Sequence, residues 1–335
     1  MTDPIIARAR TNTRVNVRAG APKLSAPIRE TLASGTEIFI TDTLGGDTVG
    51  GNDRWYACRG DVFVWSGACE DYRDEPAPPP DDADDVERPS RLELGEVMQP
   101  EFETLADVFH KVRGYRPNGL EGLIVHFDAA RTQPSSDASM TGVMRYGAEQ
   151  GYHYGGISRS GRIFLPQGFS WEGWGYHAGK SECPATGRKG VSQYYVGFEL
   201  NNPGRLYPAV QTGVFCPWFN AERDDKGRVV LDADGRCTRR DENGEWYRDY
   251  EVRLCEGGNI VKGWYLPYSA EQFASLTRIC IWLSRKFPDS FSLERVFGHD
   301  EVSPGRKSDP GGAMGTPTEL MTMAQFRQHL AEMAQ

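Results

Sequence analysis

Long apolar runs are missing from this 335-residue chain. No stretch approaches the roughly 18 consecutive apolar residues of a membrane-spanning helix. The opening segment, MTDPIIARARTNTRVNVRAG, holds no apolar stretch long enough for a signal-peptide core, so no Sec-type export is predicted. A basic surplus is missing as well. The net charge is −9, from 38 Lys and Arg against 47 Asp and Glu, which speaks against a nucleic-acid partner and for plain solubility. Cysteine is present, but CxxC pairs are not. The seven thiols (Cys58, Cys69, Cys183, Cys216, Cys237, Cys255 and Cys280) offer no thiolate zinc knuckle. Their odd number leaves at least one unpaired within the chain. Cys58 and Cys69 bracket one predicted hairpin and are placed to pair in an oxidising compartment; plain buried thiols are the alternative. Histidine is scarce: there are six.

What is present is an ordinary globular composition, 39% hydrophobic and 25% charged, on a length that predicts about two domains. The boundary is residues 73–90, RDEPAPPPDDADDVERPS. Its five prolines and its seven acids against two arginines make it a self-repelling stretch that cannot bury a core, and it reads as a linker. Before it, residues 5–72 read as short strands at 14–18, 36–41, 55–58 and 62–65. The breaks between them are rich in Gly, Pro, Asn and Asp, including GGDTVGGND. That pattern predicts a small barrel, and its balanced charge, eight acids and eight bases, makes it no clamp for a polyanion.

VNVRAGAP, SAPIRETLASGTEI, RWYAC and VFVWSGAC together resemble a bacterial SH3-like domain. The resemblance implies a barrel that binds cell-wall peptides; a spacer or stabiliser for its partner domain is the alternative.

After the linker, residues 91–335 alternate strands and helices, which predicts an α/β domain. Residues 101–113 carry Phe102, Leu105, Val108, Phe109 and Val112 at helical spacing. LIVHF at 123–127 and YYVGFEL at 194–200 read as buried strands. Residues 270–286 form an amphipathic helix with Phe273, Leu276, Ile279, Cys280 and Leu283 on one side, and a last helix is predicted from about Thr318. Residues 203–266 break the rhythm with turn-rich polar sequence and three cysteines. DADGRCTRRDE there lacks the ligand ladder of a calcium loop, so a surface insertion near the active face is expected.

The chemistry gathers on histidines. His126 sits inside the apolar strand LIVHF, where an imidazole without a partner costs about 1–3 kcal/mol. His299 opens HDEVSPGRKSDPG, a Pro- and Gly-rich loop that can return Asp309 to its side. Two histidines, one carboxylate and an open fourth position make a recurrent catalytic zinc set. His110 and His329 are expected on helix surfaces, and His153 and Tyr154 in packing roles.

LIVHF, GYHYGG with SGRIF, WGYHAGKS, VGFELNN and FGHDEVSPGRKSDPG stand in the order found in the type 2 N-acetylmuramoyl-L-alanine amidases. The family takes in recycling amidases, phage amidase lysozymes and animal peptidoglycan-recognition proteins. The resemblance covers roughly residues 95–335 apart from the insertion. It implies a central mixed sheet flanked by helices, with His126, His299 and Asp309 holding Zn2+. Glu199 is implied as the acid that assists the water, Lys307 as the oxyanion lysine and His177 as a residue at the rim of the groove. Asp128 departs from the family, where a small or hydroxyl residue is common. The implied reaction is hydrolysis of the muramoyl–L-alanine amide of peptidoglycan in the cell wall or periplasm, after delivery by a phage lysis system or a secretion machine. A cytoplasmic recycling amidase and a non-catalytic peptidoglycan-binding protein are the rival expectations.

Overall fold

Alternation builds the N-terminal strands: Ala7, Ala9, Val15, Val17, Ile38 and Ile40 turn to one buried side while the residues between them are more exposed. The computed structural model describes residues 7–58, 62–74, 99–256, 261–311, 314–315 and 320–334. The chain separates into two compact units, Met1–Leu94 and Gly95–Gln335. In the first, the strands are Ala7–Thr11 (β1), Val15–Ala19 (β2), Ile28–Leu32 (β3), Glu37–Val49 (β4), Asn52–Cys58 (β5), Val62–Trp65 (β6) and Cys69–Asp74 (β7). They form one curled antiparallel sheet in the order β3-β2-β6-β5-β4-β1-β7. Tyr56, Val62, Val64 and Ala68 complete its core. The all-β architecture is the one expected of an SH3-like barrel.

GGDTVGGND, expected as a loop, is instead the end of a long hairpin. Gly50 (φ 60°) and Gly51 (φ 86°) form its turn, between Val49 and Asn52 in register. A two-residue hairpin with positive φ at both positions follows the twist of its strands, and glycine reaches that conformation without strain. Of the linker read at 73–90, residues 75–90 lie outside the described residues. All seven cysteines are free thiols, with Cys58 and Cys69 half-buried in the first unit.

In the second unit the elements run Phe102–Leu105 (β8), Gly114–Tyr115 (β9), Gly122–Phe127 (β10), Ser136–Gln150 (α1), Gly155–Ile157 (β11), Ile163–Pro166 (β12), Gly173–Trp174 (β13) and Tyr195–Leu200 (β14). Then come Arg205–Pro208 (β15), Val214–Pro217 (β16), Tyr247–Arg248 (β17), Arg253–Cys255 (β18), Gly263–Tyr265 (β19), Ala270–Lys286 (α2), Val296–Gly298 (β20), His299–Val302 (α3) and Met323–Met333 (α4). The central sheet is mixed, in the order β20-β10-β14-β11-β12-β8, and only β11–β12 is antiparallel. Strands β10 and β14 are covered on both faces, which is why they read as unbroken apolar runs.

Helix α2 begins at a Ser269–Gln272 capping box and sends Leu276, Ile279, Cys280 and Leu283 into the main core. Each such leucine or isoleucine contributes about 1.5–3 kcal/mol by leaving water. The final helix starts at Met323, capped by Thr322, rather than near Thr318, and residues 316–319 lie outside the described residues.

Three expectations are corrected. Residues 101–113 form no helix: Phe102–Leu105 pairs in parallel with Ile163–Pro166 as an edge strand. Phe102 packs its ring against Trp171 and Trp282 and Leu105 and Val108 join another buried cluster, while Phe109 remains 65% exposed, so the apolar positions do not act as one helical face. His110 is therefore not a helix-surface group. Its Nε2 donates to the carbonyl of Met144 at 2.7 Å and its Nδ1 accepts from the Tyr154 amide at 3.3 Å. His329 does lie on a helix, but half-buried, with its ring 5.2 Å from that of Phe273. Conversely, α1 forms where no element was expected. It buries only Met140, Met144 and Gly147, and a Cβ at Gly147 would fall 2.2 Å from the Tyr154 hydroxyl. His153 and Tyr154 pack as expected, the first stacked on Phe169 at 4.6 Å and the second bonded to the Val143 carbonyl. Among the described residues no helix is long and apolar enough to cross a membrane.

Candidate active site

Three parallel strands bring the chemistry together at their C-terminal ends, where open α/β sheets place their sites. His126 stands near the end of β10. In register beside it on β14 is Glu199, so the two side chains share a face of the sheet. His299 follows Gly298, the last residue of β20, whose neighbour across the ladder is Val125. The loop after α3 then turns back so that the Asp300 amide donates to the Asp309 carbonyl at 2.8 Å. That bond sets the Asp309 side chain against both histidines.

His126 Nδ1 lies 2.9 Å from His299 Nδ1 and 3.0 Å from Asp309 Oδ2, and His299 Nδ1 lies 2.8 Å from the same oxygen. All three residues are buried. Their outer contacts decide the tautomers. His299 Nε2 is 3.0 Å from the Ala178 carbonyl, which can only accept, and 3.3 Å from Arg306 Nη2, which can only donate; the closer carbonyl favours the proton on Nε2, leaving a lone pair on Nδ1. His177 Nε2 likewise donates to the Tyr195 carbonyl at 2.9 Å. Its Nδ1 then accepts from His126 Nε2 at 3.1 Å, and His126 is left with its lone pair on Nδ1.

Two imidazole lone pairs and a carboxylate oxygen thus converge on one point. Such a triangle is repulsive until a cation fills it, so the donor set fits a divalent metal of the kind that takes nitrogen and oxygen ligands. Among the described residues this is the group of histidine, cysteine and carboxylate side chains arranged to hold a metal ion.

Protonation states agree. Burial first, and then the neighbouring His299, hold the His126 imidazole down at about 4. Burial, with His126 beside it, holds His177 well below the usual histidine range. Burial pushes the Asp309 carboxyl up, but the contacts to His126 and His299 outweigh it and keep it below the ordinary carboxylate range. Neutral imidazoles and an ionised carboxylate are the forms a metal needs.

Glu199 is partly buried and accepts no hydrogen bond from the described residues. Burial raises its carboxyl well above the usual value, Asp309 and Asp128 push the same way, and Lys307 opposes them. Lys307 is exposed, and its charge is felt at both Glu199 and His126. His177, expected at the rim of a groove, stands behind His126 as its hydrogen-bond partner.

Asp128 lies one residue beyond the end of β10. Its carboxylate accepts from the Ala130 and Asn202 amides and from Asn201 Nδ2 at 2.8–3.0 Å, and so pins the loop that follows the strand. Burial pushes this carboxyl up to about 7.

Sequence reasoning did not single out Arg306. Its guanidinium bonds the carbonyls of Ala178 and Lys180 and the Ser303 hydroxyl, tying the loop of His299 to that of His177. The only signal was its place in the GRK motif. Nor did it foresee what the insertion does. Strands β15–β19 form a five-stranded sheet in the order β17-β16-β15-β19-β18. From it Trp218 Nε1 donates to the Ala129 carbonyl, and the buried Glu245 carboxylate accepts from the Thr132 amide and hydroxyl. Ala129, held at φ 51°, is a strained residue fixed between these anchors.

Solved structures similar to this chain include a selenomethionine derivative of AmpD, with 16% identity over 70% of this chain and 96% of that one and a TM-score of 0.34. Another is the N-acetylmuramyl-L-alanine amidase AmiD from E. coli, bound to anhydro-N-acetylmuramic acid-L-Ala-D-γ-Glu-L-Lys, with 16% identity over 67% and 60% and a TM-score of 0.37. A third is LysC from Clostridium intestinale URNW, with 12% identity over 70% and 99% and a TM-score of 0.35. No curated protein sequence matches. The family model described as N-acetylmuramoyl-L-alanine amidase matches residues 116–312. That span is more than half of the chain and holds His126, His177, Glu199, His299, Lys307 and Asp309, and the protein belongs to the type 2 N-acetylmuramoyl-L-alanine amidase family.

Proposed function

We propose that this amidase is zinc-dependent, with His126, His299 and Asp309 as the metal ligands, and that it acts on the peptidoglycan of the cell wall. The observation that carries the reading is the meeting of three lone-pair donors beside an unbonded, in-register carboxylate. Zinc supplies Lewis acidity there and brings the pKa of water towards about 7. Glu199, in reach of the same face, takes the proton of the attacking water and returns it to the departing alanine amine. Lys307 places a cation where the carbonyl oxygen gains negative charge. His177 and the Ala178 carbonyl hold the two imidazoles in the tautomers that the ligand role requires.

Gly197 tests the supporting role of His177. A Cβ there would fall 2.6 Å from His177 Nδ1 and 2.7 Å from its Cγ. Gly197→Ala should displace His177, loosen His126 and lower kcat/KM by about 10–100-fold, the usual cost of losing an outer partner. Far-UV circular dichroism should stay near normal. Full activity with a correctly folded variant would remove His177 from this role.

The wall as the site of action is favoured by the SH3-like resemblance of residues 5–72 and by the reading of 73–90 as a linker. A tethered barrel raises the local concentration of stems without touching the active site. The whole chain should release new muramic-acid and L-alanine ends from purified peptidoglycan, identified by mass spectrometry. A chain beginning at Arg91 should keep its rate on a soluble muropeptide and lose it mainly on intact wall. Equal rates of both chains on intact wall would leave the barrel without an anchoring role. A preference of the whole chain for free muropeptides would favour a recycling enzyme.

A further inference from the structure

The insertion contains an excursion with very little to hold it. Between Pro217 and Cys237 the chain forms no named strand or helix, only isolated bridges such as Arg223–Val229 and Leu231–Cys237. Residues 218–236 bury just two side chains, Asn220 and Ala221. Two tight turns, Asp224–Gly227 and Asp232–Gly235, are closed by local bonds to their own aspartates and arginines. Those bonds are exposed and add little. A segment this poor in core needs a staple at its base.

Its base carries two cysteines. Cys216 sits on β16 opposite Tyr207 of β15. Cys237 returns alongside the same strand, its amide donating to the Pro208 carbonyl at 2.8 Å and its Sγ lying 3.8 Å from the Tyr207 carbonyl. Both are fully buried in one small cluster with Ala209, Val214 and Ala221. Cys216 and Cys237 thus lie on either side of β15 within one buried cluster.

We propose that Cys216 and Cys237 are a pre-positioned dithiol that closes to a disulfide when the protein meets an oxidising, glutathione-type disulfide couple. The Cys237 thiol, held below its ordinary value beside Cys216, supplies the thiolate. It attacks one sulfur of glutathione disulfide, releasing one glutathione thiolate and leaving a mixed disulfide on Cys237. The Cys216 sulfur, giving up its proton, then displaces the second glutathione. Two protein thiols are oxidised and one glutathione disulfide is reduced to two glutathiones. The product closes the excursion at its base, beside β15 and β16. The proposal does not depend on which amide the active site cleaves.

Because both sulfurs are buried, the test applies the couple during refolding of the full chain from urea, with a reduced sample beside it. After an acid quench, denaturation and alkylation, peptide mapping should find Cys216 and Cys237 linked, with a mass about 2 Da below the two free peptides. Cys183, Cys255 and Cys280 should all be alkylated. The wild-type Tm should rise by several degrees on oxidation, and that of Cys216→Ser should not. Recovery of both cysteines as alkylated peptides after oxidative refolding would overturn the proposal. So would an equal rise in Tm in Cys216→Ser.

Discussion

His299→Ala should leave the purified protein without stoichiometric zinc and lower amidase turnover on the order of 10³-fold or more, since water would keep a pKa near 15.7 rather than about 7. Chelation of the wild type should reproduce the loss, and added zinc should restore the wild type but not the variant. The geometry makes the expectation strong. His299 Nδ1 is one corner of a triangle whose sides are 2.8–3.0 Å, in the group of described side chains arranged to hold a metal ion. Metal analysis of both proteins checks it, and equal zinc content would remove His299 from the ligand set. The pH dependence follows from the same burial. His126 is held at about 4 against an unfolded value near 6.5. Between those values the unfolded chain binds the extra proton and the native one does not. Metal-free stability is therefore highest above about 6.5 and falls as the pH drops towards 4.

Glu199→Gln should keep the fold and the zinc and lose about 10²–10⁴ in kcat, the usual worth of general acid–base help. The amide has nearly the same shape but cannot take a proton from water. In the wild type the base must be ionised, so activity falls as the pH drops through the Glu199 pKa. Burial, Asp309 and Asp128 place that limb above the ordinary carboxylate range. Lys307 pulls the other way, so Lys307→Ala should move the limb to higher pH as well as lower the rate. Glu199→Gln should lose the limb altogether. A pH–rate profile of the three proteins on a soluble muropeptide separates these effects. Near-normal turnover in Glu199→Gln would mean that another group accepts the proton.

The five-stranded insertion bears on both results. Through Trp218 and Glu245 it braces residues 129–132, which follow directly from the strand of His126. A rigid first element behind a ligand is what keeps a catalytic geometry within tolerance.

Strands β10 and β14, helix α2 and the pairing of His299 with Asp309 were legible in the sequence because each rests on a local rule. An unbroken apolar run marks a strand buried on both faces. A 3.6-residue apolar stripe marks a helix. A Pro- and Gly-rich loop can fold a carboxylate back onto a histidine. Residues 101–113 carry a helical stripe as well, yet β12 offered Phe102–Leu105 a free edge and a place among Trp171 and Trp282, and pairing outweighed propensity. Helix α1 went unread because its buried side is two methionines and a glycine, and the tight fit of Tyr154 at Gly147 exists only after folding. The tautomers of His126 and His299 depend on His177 and the Ala178 carbonyl, far away in sequence. The gathering of Cys216 and Cys237 into one cluster depends on β15 passing between turns that carry no pattern of their own. Residue type and spacing determined by themselves which groups could do chemistry here. Only the tertiary structure decided which nitrogens converge with Asp309, which carboxylate stands free beside them and which thiols share a cluster, because those are settled by partners that sequence distance does not reveal.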